Sequence, residues 1–114
     1  MAEQVLGVFV IAHGLVTAGI WLAPGNDDAP FDPAHSWLLG HARPAAIALG
    51  LLVGVGLVVT GIAVLAGWDW WPTAAVVAGA GGVIQIALWF NRWLVLGLAI
   101  NLAVLVVGLR AALD

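Results

Sequence analysis

The stretch that decides the fold is AAIALGLLVGVGLVVTGIAVLAG, residues 45–67. It contains no charged residue, and it is longer than the ~20 residues that a helix needs to cross the hydrocarbon core of a bilayer. Three further apolar runs, at 4–22, 73–90 and 93–109, also lack Asp, Glu and Lys. The four runs predict an all-α fold: a polytopic membrane protein built as an antiparallel bundle of four transmembrane helices.

The composition supports this class. Hydrophobic residues make up 64% of the 114 residues, charged residues make up 8%, and the mean hydropathy is +1.14. A soluble domain carries roughly 25% charged residues, so this chain could not cover a water-exposed surface. We therefore expect a single membrane domain over 1–114, located in the cell membrane as a multi-pass protein, with no room for a soluble catalytic domain.

The breaks between the runs set the predicted boundaries. Asp32 is a suitable N-cap and Gly40 a suitable stop, which predicts a short interfacial helix over 33–39 in the first connection. Pro44 and Pro72 suit the first turns of the second and third helices. The predicted transmembrane helices cover about 4–22, 44–67, 72–90 and 93–111.

The tryptophans support these boundaries, because all seven fall at predicted helix ends. Amphipathic indole rings favour the headgroup level of a bilayer, where they form an aromatic belt. In a four-span chain the first and third connections share one membrane face. The tryptophans at that face are Trp21, Trp37, Trp89 and Trp93. Those at the opposite face are Trp68, Trp70 and Trp71.

Arginine placement bears on the orientation. Arg43 and Arg92 lie on the face of the first and third connections, and Arg110 lies on the other. Positive residues favour the cytoplasmic side, so this count slightly favours both termini outside. The small difference also permits insertion in both orientations.

Small residues should hold the helices together, because lipid tails are as apolar as leucine and only close packing favours association. Gly50 and Gly54 form a GxxxG motif in the second helix. We expect this ridge to pack within one molecule, with a homo-oligomer interface as the alternative. A large substitution at Gly54 should destabilise the protein more than one at Val53.

Four polar residues lie deep in the predicted spans: His13, Thr17, Gln85 and Asn101. An unsatisfied polar group in hydrocarbon costs several kcal/mol, so these side chains should point inward. Their depths pair His13 with Asn101, and Thr17 with Gln85. Two interpretations stay open: hydrogen bonds that only join helices, or a small polar cavity that binds a headgroup, a quinone-like molecule, an ion or a proton.

A second set of candidates surrounds the first connection: His35, Trp37, His41 and Arg43. With a helix over 33–39, His35 and His41 do not share a face. A metal bound by these histidines with Asp27, Asp28 and Asp32 is a weak alternative, so the sequence predicts no metal site. Neither a cofactor nor a catalytic residue is predicted, because no cysteine is present and no acidic residue lies within a span.

Three families are similar in plan. The length and four spans resemble the small multidrug-resistance transporters, but His13 stands at the depth of their membrane-embedded Glu, so proton-coupled cation export is not implied. The size also resembles fluoride channels, without their Gly-rich opening or paired Phe. The chain further looks like short four-span proteins of high-GC bacteria, including DoxX-like ones, which implies a four-span fold and no particular activity. That last resemblance rests on His13-Gly14, Ser36-Trp37-Leu38-Leu39-Gly40 and Trp70-Trp71.

Three functions follow as expectations. The first is a non-enzymatic membrane subunit or binding protein with a small polar cavity. The second is an oligomeric transporter or channel for a small solute or ion, and the third is a membrane enzyme or electron-transfer accessory protein. The expected partners are the lipid bilayer and either a second copy or another membrane protein. Nucleic acid is not expected, because no lysine is present and the three arginines are scattered.

Overall fold

The computed structural model describes residues 1–22, 35–90 and 94–114. Within them lie four helices: α1 (Ala2–Leu22), α2 (Arg43–Ala66), α3 (Trp71–Leu88) and α4 (Val95–Leu113). Each helix covers one of the apolar runs, and each is long and apolar enough to cross a membrane. The all-α, four-helix prediction is confirmed.

The ends of α2 follow from local chemistry. Pro44 lies in the first turn, where its missing N–H removes no intrahelical bond. Gly67 ends the helix with a φ of +71°, a left-handed conformation that glycine adopts without strain. Its neighbour Trp68 donates its backbone N–H to the Ala63 carbonyl over 3.0 Å. Carbonyl groups in the last turn of α2 therefore accept hydrogen bonds from the residues that follow the helix, before the chain continues into α3.

Residues 35–41 form a hairpin, so the helix predicted over 33–39 is wrong for 35–39; residues 33 and 34 lie outside the described residues. Strand β1 (His35–Ser36) pairs antiparallel with β2 (Gly40–His41). The Ser36 hydroxyl accepts the backbone N–H groups of Leu38 and Leu39, at 3.2 and 3.1 Å. Serine bonds of this local type compete with helix formation, and Gly40 supplies the positive φ of +74° at the end of the turn.

The interface between α1 and α2 is a stripe of facing glycines. A Cβ added to Gly14 would lie 2.7 Å from the Gly54 carbonyl oxygen, and one added to Gly61 would lie 2.6 Å from that of Gly7. The backbones of the two helices are thus in direct contact. The ridge of α2 that contains the GxxxG motif packs within the molecule, against α1.

Val53 lies on a different face of α2 from this ridge. It is buried, and a Cβ added to Gly81 of α3 would approach its side chain to 3.4 Å. Val53 therefore belongs to the α2/α3 core, and the expectation that a large residue at Gly54 destabilises the protein more than one at Val53 stays a prediction. Its neighbour Val55, with 59% of its side chain exposed, faces outward.

The helices are packed unevenly around the bundle. Contacts are dense between α1 and α2, between α3 and α4, and between α2 and α3, whereas α1 and α4 approach each other at few points. On the α3/α4 side, Gly79 and Gly108 let the backbones meet: a Cβ on Gly79 would lie 2.8 Å from the Leu105 nitrogen. The open side between α1 and α4 is where the candidate site lies.

Candidate binding cavity between α1, α3 and α4

A cavity of about 190 Å³ lies between α1, α3 and α4. All four polar residues from the predicted spans line it, although they come from three separate helices. The remaining wall consists of glycine and apolar side chains. The lining residues are His13, Val16, Thr17, Ile20, Trp21, Gly82, Gln85, Ile86, Leu94, Leu96, Gly97, Ile100 and Asn101.

His13 and Asn101 join α1 to α4 through a hydrogen bond, with His13 Nε2 2.8 Å from Asn101 Oδ1. Because an amide oxygen only accepts, this geometry makes Nε2 the protonated ring nitrogen. Gly82 of α3 makes room for Asn101, since a Cβ there would lie 2.5 Å from Asn101 Nδ2. The predicted pairing of His13 with Asn101 by depth is confirmed.

The predicted pairing of Thr17 with Gln85 is wrong in the described part of the chain. Thr17 donates its hydroxyl hydrogen to the His13 carbonyl of its own helix, over 2.7 Å. A threonine in a helix can always reach the carbonyl four residues back, so it needs no partner on a second helix. Thr60 of α2 does the same with Gly56, over 2.7 Å.

Gln85 reaches across to α2 instead. Its Nε2 donates to the Ala46 carbonyl over 3.1 Å, using the second lone pair of an oxygen in the first turns of that helix. Gln85 is only 1% exposed, and its Oε1 has no hydrogen-bond partner among the described residues. Gln85, one of the lining residues, therefore carries a buried acceptor that has no partner among the described residues.

Two buried tryptophans close the end of the bundle next to the cavity. Trp21 lines the cavity, and its ring meets that of Trp89 edge to face, with centroids 6.1 Å apart and planes at 72°. They are 3% and 2% exposed, respectively. These two rings pack inside the bundle, whereas Trp37, Trp68 and Trp70 are exposed. Trp93 lies outside the described residues, and the aromatic belt stays a prediction.

The hairpin is fastened to the same end of the molecule. Ser36 donates its hydroxyl hydrogen to the Leu88 carbonyl, and Trp37 donates Nε1–H to the Ala87 carbonyl. These carbonyls belong to the last turn of α3, where no helical N–H is available. This role of Ser36 was not predicted from the sequence; the only signal was a hydroxyl residue between two histidines in an otherwise apolar segment.

The candidates of the first connection do not line the cavity. His35 and His41 are exposed and stand directly opposite each other in the hairpin, so the expectation that they do not share a face is wrong: opposed residues of an antiparallel pair point to the same side. Arg43 begins α2. Within the described ranges, no three His, Cys, Asp or Glu side chains form a metal-binding group, and Asp27, Asp28 and Asp32 lie outside those ranges.

The cavity is less polar than the sequence predicts. Only the four polar residues and the Trp21 indole contribute polar atoms to a wall of aliphatic side chains and glycine backbone. Small-molecule sites in proteins usually have this character, with apolar walls and a few placed hydrogen-bonding groups. The cavity therefore suits a ligand that is mostly apolar.

A second apolar depression, of about 270 Å³, continues along the outside of α1 and α4. Ile100 lines both it and the cavity, and the His13–Asn101 bond crosses the interface close to this shared wall. The depression opens outward between the two helices. Its lining residues are Leu6, Phe9, Ala99, Ile100, Ala103, Val104 and Val107.

Comparison of the chain with known proteins finds no matching family model, no matching curated protein and no matching solved structure. What the site can do therefore rests on its own geometry. The resemblance to short four-span bacterial proteins stays a prediction from the sequence.

Proposed function

We propose that the chain is a multi-pass membrane protein that binds a small, mostly apolar molecule in the cavity between α1, α3 and α4. The four apolar helices and the outward-facing side chains support the membrane part of this proposal. Leu52, Val77 and Leu96 are 71%, 67% and 73% exposed. A continuous apolar surface of this kind suits lipid tails, whereas in water it would promote aggregation.

The observation that carries the binding proposal is a mostly apolar cavity between three helices whose lining includes all four of the deep polar residues. Glycines let α1 approach α2 and α3 approach α4, but the same chain keeps space between α1 and α4. A dry cavity of about 150 Å³ holds a benzene-sized molecule, so 190 Å³ accommodates a single ring or a short branched chain.

The route to the cavity lies within the bilayer plane. The loosely packed α1/α4 interface is flanked by the outer depression, and Ile100 separates the two spaces. A molecule dissolved in the lipid could enter sideways between these helices without crossing the headgroup layer. A longer ligand could keep its chain in the depression while its head occupies the cavity.

A cavity-filling variant tests the proposal. Ile100→Trp should occupy the space, whereas Leu102→Trp places the same ring on the outer face of the same helix, where Leu102 is 43% exposed. The probe is anisole, a single-ring ether, added to detergent-solubilised protein. A ligand that binds only the folded state raises the thermal unfolding midpoint.

We expect the probe to raise the midpoint of the unmodified protein and of Leu102→Trp, and to leave that of Ile100→Trp nearly unchanged. Both variants are needed because the probe also dissolves in detergent and changes the micelle. An equal shift in all three proteins would mean that the probe acts through the micelle, and the binding proposal would fail.

A further inference from the structure

We infer that the ligand of this cavity carries a hydrogen-bond donor, a hydroxyl or an N–H, on an otherwise apolar body, and that Gln85 Oε1 accepts from it. The inference rests on the proposed function, because it assigns chemistry to the same cavity. Its starting point is that Oε1 is a buried acceptor with no partner among the described residues, on a side chain that lines the cavity.

The orientation of the Gln85 amide is settled by its other end. The group that faces the Ala46 carbonyl must be the NH₂, because two oxygens cannot share a hydrogen bond without a donor. The amide therefore cannot exchange its nitrogen and oxygen. The oxygen is the end of the amide turned away from the Ala46 carbonyl, on a side chain that lines the cavity together with His13, Thr17 and Asn101.

Two neighbouring polar groups of the cavity donate to protein acceptors. The Thr17 hydroxyl hydrogen goes to the His13 carbonyl, and His13 Nε2 is taken up by Asn101. A purely apolar ligand would leave Oε1 buried and unpaired, which disfavours binding. A ligand with a donor removes that penalty, so the site should prefer alcohols, phenols or N–H compounds over their methylated analogues.

One protein group competes for this role. Trp89 caps the C-terminal end of α3, four residues after Gln85, and its Nε1–H is the other buried side-chain polar atom without a partner among the described residues. Residues four apart on a helix are neighbours, so a rotation of the two side chains could pair them. The experiment has to separate a ligand donor from this internal donor.

The test compares phenol with anisole, which differ in whether the oxygen carries a hydrogen. In the unmodified protein the phenol should bind about tenfold more tightly, the ratio that corresponds to one hydrogen bond of ~1.4 kcal/mol. Gln85→Met keeps the length and volume of the side chain without its acceptor. It should reduce the ratio of the two affinities to the value that follows from the different partition of the two probes into detergent. Thr17→Val alters another polar lining residue and should keep the preference.

The outcomes are distinct. If neither probe binds the unmodified protein, the proposed function fails. If both bind and Gln85→Met leaves their ratio unchanged, the cavity is a binding site but the assignment of Gln85 is wrong, and Trp89 or water satisfies the oxygen.

A spectroscopic measurement covers the case in which Gln85→Met does not fold. The chain has two glutamines, Gln4 and Gln85, so Gln4→Ser with ¹³C-labelled glutamine side chains isolates the Gln85 carbonyl band. The phenol should shift this infrared band to lower frequency and the anisole should not. Identical bands with the two probes would overturn the inference.

Discussion

At the scale of single residues, the polar groups of the spans act in two ways. His13 and Asn101 form the hydrogen bond between α1 and α4, at an interface that has few other contacts. Thr17 and Thr60 satisfy their hydroxyls within their own helices. A hydrogen bond between two helices holds them at a set distance. A hydrogen bond within one helix has no influence on which helices pack together.

Asn101→Leu removes this bond and leaves His13 without its partner. It should therefore lower the unfolding free energy by about 0.6–2 kcal/mol, the range for hydrogen bonds between membrane helices. Thr60→Val is the matched control: Thr60 is 1% exposed and Asn101 is 2% exposed, but Thr60 bonds only to its own helix. Unfolding in mixed micelles with increasing denaturing detergent would measure both. A loss for Asn101→Leu no larger than for Thr60→Val would mean that the His13 bond does not hold α1 to α4.

At the scale of the helices and the hairpin, glycine decides the closest approach. The α1/α2 interface has backbone against backbone, with Gly54 facing Gly14 and Ala18. In lipid this closeness is itself the main favourable term, because apolar burial gives no advantage over contact with lipid tails. A side chain larger than glycine has to push the two helices apart.

Gly54→Leu should thus destabilise the protein by about 1–3 kcal/mol, as expected for overpacking a tight interface. A Cβ at this position would already lie 2.9 Å from the Gly14 carbonyl oxygen. Val55→Leu, on the exposed face of the same helix, should change stability little. The same denaturing-detergent titration would compare them, and equal losses would contradict the α1/α2 packing.

The hairpin makes a separate prediction, since His35 and His41 are opposed in its register. Opposed Cα atoms lie about 4.5–5.5 Å apart, which is within the range that a disulfide spans. His35→Cys with His41→Cys should form an intramolecular disulfide under mild oxidation, detectable by mass. The chain has no other cysteine to compete. His35→Cys with Leu39→Cys, which are not opposed, is the control; similar oxidation of the two pairs would argue against the hairpin.

At the scale of the whole molecule, the hairpin and the α2–α3 connection lie at opposite ends of the bundle. The hairpin bonds to the last turn of α3, and Asp69 precedes its first turn. The 18 residues of α3 span ~27 Å at 1.5 Å per residue, close to the thickness of a hydrocarbon core. If the helices cross a membrane, these two segments lie on different sides of it.

Cysteine labelling with a membrane-impermeant reagent tests this arrangement. The single variants are Asp69→Cys and Leu39→Cys, and both substituted residues are exposed. One should react in intact cells and the other only after permeabilisation. The arginine count predicts that residue 69 is the one outside. Labelling of both in intact cells would rule out a four-span topology in a single orientation.

The number of helices and their positions along the chain could be predicted from hydropathy alone, because each apolar run is long enough for one span. The fixed rise of a helix placed the polar residues along each helix, and this was enough to pair His13 with Asn101 but not to find the partners of Thr17 and Gln85. The location of the tryptophans near the helix ends could be predicted from the same hydropathy pattern.

Which face of its helix each residue occupies could not be predicted from the sequence, because it depends on how the helices pack. The helices are nearly as apolar on one side as on the other, so hydropathy carries little information about rotation around the axis. The burial of Val53 and of the Trp21–Trp89 pair depended on that rotation. The bond from Gln85 to Ala46 and the space between α1 and α4 depended on distances of a few ångströms between helices, set by glycines that a linear pattern cannot assign to partners.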